Sequence, residues 1–287
     1  MNLSALINKK FPVITERYDA ARTILYALGV GAGVDPLDAA QLPYVYERKL
    51  KILPSQSSVL LYPGPWLTEP AVGANYAKVL HGEQGVVFER PLKPTATVRG
   101  EYEVLGVDDK GPDKGAIVFF EKRILDDADG ALICRVRSTY FLRGDGGCGS
   151  WGRVLDPPPA LPERVPDKAI DIPTIPRQAL IYRLSGDYNP LHTDEIFTTK
   201  VAGYPSVFAH GMLTMGMTGK MLTDYVGDAR LTKYGVRFTS QVWPGDTLDA
   251  TATVKELKDG LVELDIETKN QDGVVVLSGY AEARVDP

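Results

Sequence analysis

The feature of this sequence that most constrains its fold is the segment from Gly211 to Val226, GMLTMGMTGKMLTDYV. Its methionine, leucine and small residues nearly encircle a predicted helix, so we expect that helix to be buried on all sides. Four segments that alternate apolar and polar residues follow it, beginning at Lys233, Asp246, Leu261 and Val274. Turn sequences at 244–246 and 258–260 lie between them. A buried helix followed by antiparallel strands predicts a sheet wrapped around one helix.

A second run of strand-like sequence extends from Val86 to Leu142. Its alternating segments are separated by Pro, Gly and Asp turns, which indicates antiparallel hairpins with one buried face. Earlier in the chain, residues 13–29 carry apolar side chains at three- and four-residue steps, which predicts a helix that ends at Gly29. The stretch from Leu42 to Leu61 is typical of extended chain, with an interruption at Pro54.

The two strand-rich parts are separated by a glycine-rich and then a proline-rich stretch. Irregular stretches of this length are uncommon inside one compact domain. We therefore predict an N-terminal half at 1–145, a semi-rigid linker at 146–176 and a C-terminal half at 177–287. The two halves show no convincing sequence repeat.

Composition and chain ends narrow the class of protein. The net charge of −5 argues against a general nucleic-acid-binding protein. Cys134 and Cys148 fit neither a metal-ligand spacing nor a disulfide framework, so free thiols are expected. No apolar run approaches the ~20 residues that cross a bilayer. The start has no signal-peptide core and the ending ARVDP is not a peroxisomal address, so we expect a cytoplasmic protein with no membrane partner.

The loop YRLSGDYNPLH, from Tyr182 to His192, carries the most concentrated chemistry. Gly, Asn and Pro are turn formers, and Leu184 and Leu191 are candidate apolar anchors. A tight loop can direct the Asp187 carboxylate and the His192 imidazole into one space, where the pair could activate a water near neutral pH. The same residues also occur in ordinary turns, so a structural role remains open.

The segment from Ser185 to His192 resembles the hydratase-2 motif of the MaoC-like enoyl-CoA hydratases, and Ala209 to Met212 resembles the His-Gly segment that follows it. The family usually has Ala or Ser where this chain has Thr198, and the spacer between the two segments is one residue longer. The likeness extends to stretches along nearly the whole chain: Leu25–Gly33, Tyr46–Arg48, Leu80–Gln84, Asp108–Gly111 and Val236–Phe238. These stretches resemble the two-half type of hydratase 2, which includes the hydratase domains of peroxisomal multifunctional beta-oxidation enzymes.

The resemblance implies an α+β fold of the double-hotdog type, with two antiparallel sheets each wrapped around a helix. It implies the reversible syn addition of water to a trans-2-enoyl-CoA, giving a (3R)-3-hydroxyacyl-CoA, by a homodimer in fatty-acyl metabolism. No cofactor is expected, because the CoA thioester is itself the substrate. Two alternatives stay open. One is a 3-hydroxyacyl-thioester dehydratase that acts on acyl-carrier protein or a specialised acyl group such as a steroid side chain. The other is a non-catalytic acyl-CoA-binding module.

The resemblance also implies roles for individual residues. Asp187 and His192 would share the reacting water, Asn189 would orient it, and the Gly211 N–H would stabilise charge on the thioester oxygen. Further residues would line the substrate and CoA site: His81, Gly82, Lys110, Tyr188, Pro190, Leu191 and Phe238. No metal ligands are expected, and His210 is left without a role.

Overall fold

All eleven strands of the computed structural model, which describes residues 1–156, 158, 161, 165–227 and 229–285, belong to one antiparallel sheet. The strands are β1 Ile14–Tyr18, β2 Val79–Phe88, β3 Ala96–Asp109, β4 Ala116–Asp126, β5 Leu132–Leu142, β6 Trp151–Gly152, β7 Lys168–Pro173, β8 Arg230–Phe238, β9 Thr247–Lys258, β10 Leu261–Asn270 and β11 Val275–Arg284. The α-helices are α1 Leu3–Ile7, α2 Ala20–Gly29, α3 Leu42–Val45, α4 Gln178–Tyr182 and α5 Gly211–Val226. Short 3₁₀ turns occupy Pro54–Ser58, Trp66–Thr68, Tyr76–Lys78, Arg183–Ser185 and Pro190–His192, and a π turn occupies Phe197–Val201.

The strand order divides the sheet into two halves of consecutive chain. The order is β1-β3-β4-β5-β2-β8-β11-β10-β9-β7, with β6 paired to β3. The halves join where β2 pairs with β8, and an ion pair between Arg237 and Glu83 (2.6 Å) crosses this junction. The hairpins predicted in both halves are confirmed, and so is the α+β double-hotdog class, but the two predicted sheets join edge to edge into one because β2 pairs with β8.

Helix α5 begins and ends where the sequence predicts, and it is buried from Met212 to Leu222 except at Lys220, whereas Asp224 in its last turn is exposed. Leu213, Met215 and Met217 are each at most 2% exposed, and they share one core with residues of both halves of the sheet. The first turn of α5 lies next to β8, since a Cβ at Gly211 would be 3.1 Å from the Phe238 ring.

Two elements of the first half differ from the predictions. Residues 14–18 form strand β1, paired with β3, so the helix predicted for 13–29 begins only at Ala20, after an Asp19 cap. The apolar spacing over 13–29 predicts a buried face that includes Leu28, and this is wrong: Leu28 is 44% exposed, whereas Tyr26 and Ala27 are buried. The stretch from Leu42 to Leu61 contains α3 and the 3₁₀ turn at Pro54 instead of extended chain, since proline is well suited to the first turn of a helix.

The predicted linker at 146–176 is not irregular throughout. Trp151–Gly152 pairs with β3, and Lys168–Pro173 forms the last strand of the sheet beside β9. Residues 157, 159, 160 and 162–164 of this stretch lie outside the described residues. The division into halves at these boundaries stays a prediction. No helix among the described residues is long and apolar enough to cross a membrane.

Candidate active site

The loop around Asp187 is shaped by short turns on either side. Gly186 has φ 120°, a conformation that L side chains rarely adopt, directly after the 3₁₀ turn Arg183–Ser185. The Asn189 side chain then accepts a hydrogen bond from the Leu191 N–H (3.1 Å) and caps the next turn. Leu191 is buried, which confirms it as an anchor, whereas Leu184 is 52% exposed and is not one.

Thr198 replaces the small residue that the family usually has, and it is fully buried. Its hydroxyl oxygen lies 2.9 Å from the Leu191 carbonyl and 2.8 Å from the Asp194 carbonyl. A threonine therefore fits at this position and hydrogen-bonds to the chain next to the motif histidine.

His192 is oriented by the backbone opposite it. Its Nδ1 lies 2.9 Å from the Phe208 carbonyl oxygen, which can only accept, so Nδ1 carries the proton and donates. Nε2 is then the nitrogen that can accept a proton. Burial lowers the pKa of His192 below its usual 6.5, although the Asp187 charge and the Phe208 carbonyl act in the opposite direction. The imidazole is thus a neutral base at pH 7.

His210 ties this loop to the start of α5. It is 1% exposed, its Nε2 lies 3.2 Å from the Asp187 carbonyl oxygen, and its ring centroid lies 3.9 Å from that of His192. Burial, and then the neighbouring His192, lower the pKa of His210 to about 3. A neutral His210 can donate to the Asp187 carbonyl without placing a second positive charge beside His192.

Gly211 is the first residue of α5, immediately after His210. Its N–H has no hydrogen-bond partner among the residues that the structure describes, as expected of a first-turn donor. A Cβ at this position would lie 3.1 Å from the Phe238 ring, so glycine keeps the approach to the N–H open. The positive end of the helix dipole is at this point as well.

Two adjacent hollows share lining residues of this loop. The outer cleft, about 420 Å³, contains His192, Gly211 and Phe238, together with Gly82 of β2. The inner cavity, about 170 Å³, extends into the first half. Six residues line both: Val79, His81, Asp187, Asn189, Leu191 and Met212. The site is therefore built from both halves of the sheet.

Not all of the site residues predicted from the sequence meet there. Asp187, Asn189, His192, Gly211, His81, Gly82, Leu191 and Phe238 line one or both hollows. Lys110, Tyr188 and Pro190 line neither hollow. Lys110 instead pairs with Asp108 at 2.5 Å, and Tyr188 is 57% exposed beside Arg183.

Two groups of lining residues were not predicted from the sequence. Lys114 and Arg143 are exposed cations at the outer cleft, and Tyr62, Tyr76 and Tyr140 line the inner cavity. The β3–β4 turn has no excess of basic residues, so composition offered no signal for Lys114. Among the described residues, no group of three His, Cys, Asp or Glu side chains is placed to hold a metal ion.

The direction of the His192 pKa shift predicts the pH profile of any reaction that uses its neutral form. The pKa of His192 lies below 6.5, so most of the imidazole is still neutral at pH 6.5. Nε2 is protonated, and can no longer act as a base, only at lower pH. His81 and His210, the other histidines beside the site, also have lowered pKa values. We expect the acid limb of kcat/KM to have its midpoint below pH 6.5, and a midpoint above that value would contradict the role of His192.

Two family models match successive parts of the chain. Residues 17–144 match the model of the MFE-2 hydratase 2 N-terminal domain, and residues 159–275 match that of the MaoC like domain. The chain is 37% identical to 3-hydroxyacyl-thioester dehydratase Y of Mycobacterium tuberculosis, over 92% of this chain and 88% of that protein. It is 34% identical to the peroxisomal enoyl-CoA hydratase 2 of Arabidopsis thaliana, over 99% of this chain and 96% of that protein. The crystal structure of a MaoC-like dehydratase from Phytophthora capsici superposes on this structure with a TM-score of 0.84. The two are 27% identical, and the match covers 100% of this chain and 98% of that one.

Proposed function

Because this chain belongs to the MaoC-like hydratase 2 family, we propose that it is a hydro-lyase that adds water reversibly to a trans-2-enoyl-CoA, giving the (3R)-3-hydroxyacyl-CoA. One observation carries the proposal. A single cleft is lined by a carboxylate, Asp187, a neutral imidazole, His192, and the Gly211 N–H, which has no hydrogen-bond partner in the part of the chain that the structure describes. These are the groups that hydration of an enoyl thioester requires.

The chemistry follows from one water held by Asp187 and His192. The two groups take a proton as the water oxygen adds to C3, and they return a proton to C2, so one water is consumed and both bonds form on the same face. Negative charge develops on the thioester oxygen in the transition state. The Gly211 N–H is a fixed donor for that charge, and such donors are worth about 3 to 4 kcal/mol in other enzymes.

Supporting residues hold this geometry. The Asn189 side-chain oxygen is used in capping its own turn, so its amide NH₂ is the part that can orient the water or Asp187. His210 keeps the Asp187 backbone next to α5 through the hydrogen bond to its carbonyl. The proposed reaction needs no cofactor, and the homodimer stays a prediction.

The second candidate is the same reaction in the direction of dehydration. The relative from M. tuberculosis is named as a 3-hydroxyacyl-thioester dehydratase, and one site catalyses both directions. The exposed cations Lys114 and Arg143 at the outer cleft favour a substrate with the phosphates of CoA. A pure acyl-CoA-binding module would have no use for the Asp187–His192 pair.

The test of the proposal is the loss of enoyl-thioester absorbance with crotonyl-CoA and trans-2-decenoyl-CoA. Turnover of either supports a hydratase. Tight binding of both without turnover supports the binding module. Turnover only of the carrier-protein thioester supports the dehydratase with that carrier.

The cleft cations give a separate prediction. Lys114→Ala and Arg143→Ala are each expected to raise KM for an enoyl-CoA about five- to ten-fold at low salt, because a hydrogen-bonded ion pair with phosphate is lost. Neither change should affect the corresponding N-acetylcysteamine thioester, which lacks the nucleotide. Lys110→Ala is the matched control, since that ammonium already pairs with Asp108. If Lys110→Ala raises KM as much as the other two changes, Lys110 binds the substrate, as the sequence predicts.

A further inference from the structure

A buried chain of hydrogen bonds in the first half ends at His81, which lines both hollows. The Nε2 atom of His81 lies 2.9 Å from Gln84 Oε1 and 3.0 Å from the Glu83 carbonyl oxygen. The Ser138 hydroxyl donates to the same Gln84 oxygen at 2.7 Å. Gln84 and Ser138 are only 3% and 7% exposed, so the protein itself decides which atoms of this chain donate and which accept.

The Glu83 carbonyl decides where the protons of this chain lie. A carbonyl oxygen can only accept, so His81 Nε2 carries the ring proton and donates it. Gln84 must then present its oxygen to Nε2, because its NH₂ group would place two donors face to face. Burial lowers the pKa of His81, although the Asp187 charge acts in the opposite direction, so the ring is neutral at pH 7. In a neutral ring with a protonated Nε2, Nδ1 can only accept.

The His81 ring is held on both sides. It packs against Tyr140 and Phe238, with ring centroids 5.1 Å and 5.5 Å away. The register of β2 against β5 shifts directly after His81, and such bulges often re-aim side chains beside active sites. A Cβ at Gly82 would overlap the Phe141 ring, so only glycine fits at the bulge. The position of Nδ1 is therefore set by the fold.

Nδ1 of His81 is an acceptor without a donor. It has no hydrogen-bond partner among the described residues, and protein atoms do not enclose it. The alkene and thioester of an enoyl-CoA carry no N–H or O–H. In the proposed reaction, the protons of the reacting water go to Asp187 and His192. The first N–H of the ligand is the amide of its pantetheine arm, which the sulfur and two methylene groups separate from the thioester carbon.

The positions of Gly211 and His81 fit this part of the ligand. A Cβ at Gly211 would lie 3.1 Å from the Phe238 ring, and the same ring packs edge to face against His81. Both residues also line the outer cleft. A ligand whose thioester oxygen is bound at Gly211 can therefore reach His81 with the next few atoms of its arm.

From this arrangement we propose that His81 Nδ1 accepts a hydrogen bond from the first amide N–H of the pantetheine arm. Gln84, held by Ser138, is the positioning residue that keeps the proton on Nε2 and leaves Nδ1 free to accept. The inference rests on the proposed function, because it requires an enoyl thioester at Gly211. A site built to pair with an N–H discriminates against an analogue that lacks it, since the acceptor in the protein is then left unpaired.

The first experiment compares two crotonyl thioesters that differ in one atom. One is the N-acetylcysteamine thioester, and in the other, the thioester of 2-acetoxyethanethiol, an oxygen replaces the N–H. We expect kcat/KM to be at least about five-fold higher for the amide. A smaller ratio overturns this inference and leaves the proposed function intact if crotonyl-CoA is hydrated. Absence of turnover with enoyl-CoA substrates contradicts the proposed function itself, so the two failures are distinguishable.

The second experiment removes the acceptor. His81→Phe keeps a ring between Tyr140 and Phe238 but deletes both nitrogens. The amide-to-ester ratio of kcat/KM should fall to about one, because neither substrate then has a partner at this position. A merely structural role would lower both values equally and leave the wild-type ratio, which counts against the proposal. Tyr188→Phe is the control, since Tyr188 is 57% exposed and lines neither hollow, and it should keep the wild-type ratio.

The third experiment tests Gln84 as the positioning residue. Gln84→Glu still offers an oxygen to Nε2, but its charge favours the imidazolium and raises the pKa of His81. Below that pKa, Nδ1 is protonated and donates, so the preference for the amide is lost as the pH falls. We expect the amide-to-ester ratio of this variant to fall at least about five-fold between pH 8.5 and 6.5. The wild-type ratio should stay constant over this range, since the pKa of His81 lies below 6.5.

Other titrating groups do not disturb this measurement. Asp187 and His192 act on both thioesters, so their protonation cancels in the ratio. The Tyr140 hydroxyl, which belongs to a ring packed on His81, stays neutral because burial raises its pKa to about 12. A ratio in Gln84→Glu that equals the wild-type ratio at every pH would overturn the positioning role of Gln84. If this variant does not fold, the His81→Phe result decides.

Discussion

Replacing His192 by alanine is expected to lower kcat for trans-2-octenoyl-CoA about a thousand-fold, within the range usual for a lost general base. The reason is that the neutral Nε2, held in place by the Nδ1 hydrogen bond to Phe208, would no longer take a proton from water. Asp187→Asn is expected to have a similar effect. The amide keeps the size of the side chain and the oxygen that accepts a hydrogen bond within the loop, but it lacks the negative charge that the proposed reaction needs.

Both variants should still bind ligand, which separates a chemical role from a structural one. The hydrogen bond from the Asn189 N–H to the Asp187 side chain (3.3 Å) can be kept by an asparagine oxygen. The dissociation constant for a 3-hydroxyacyl-CoA, measured by calorimetry, should therefore change only a few-fold. Asp272→Asn, an exposed change remote from the site, is the control for charge. Near-normal kcat in either site variant would refute the shared-water role.

The second large effect concerns the Gly211 N–H, which a matched pair of variants can isolate. Gly211→Pro deletes the donor at the first position of α5, where helices accept proline. His210 already has φ −60° and ψ 134°, a conformation compatible with a following proline. We expect kcat to fall about 10²- to 10³-fold, as when one oxyanion donor is removed.

Gly211→Ala is the control, because it keeps the N–H and adds only a Cβ 3.1 Å from the Phe238 ring. Its loss in kcat should be at most about ten-fold, the result of local crowding. Melting temperatures of both variants show whether α5 is intact. Equal losses in the two variants would assign the effect to crowding by Phe238 and would remove the N–H from the mechanism.

Local sequence signals predicted the elements in which neighbouring residues decide the structure. Helix α5 was predicted in full because nearly all its positions are apolar or small, and the strands on either side alternate with period two. The α2 region shows the limit of this approach. Ile14 to Tyr18 fits a helical spacing, yet its backbone pairs with β3, a partner about eighty residues away that no local pattern reveals.

The site was predictable only in part for the same reason. Asp187, Asn189 and His192 lie in one short loop, so their motif is visible in the sequence. The packing of the His210 ring against His192 and the hydrogen bonds of Lys122 to the loop at 57–62 depend on distant segments. Lys110 was predicted at the site and does not line it. The resemblance identified the right turn, but the cation of that turn at the outer cleft is Lys114, and Lys110 pairs with Asp108.

The most direct test of the account is the configuration of the product formed from trans-2-octenoyl-CoA. The 3-hydroxyoctanoyl-CoA would be separated on a chiral column after the acyl group is released. The proposed mechanism adds water to a single face of the bound alkene, and the likeness to hydratase 2 makes the (3R) product the expected one. A (3S) product, or recovery of the enoyl-CoA unchanged from a correctly folded protein, would contradict the proposed reaction.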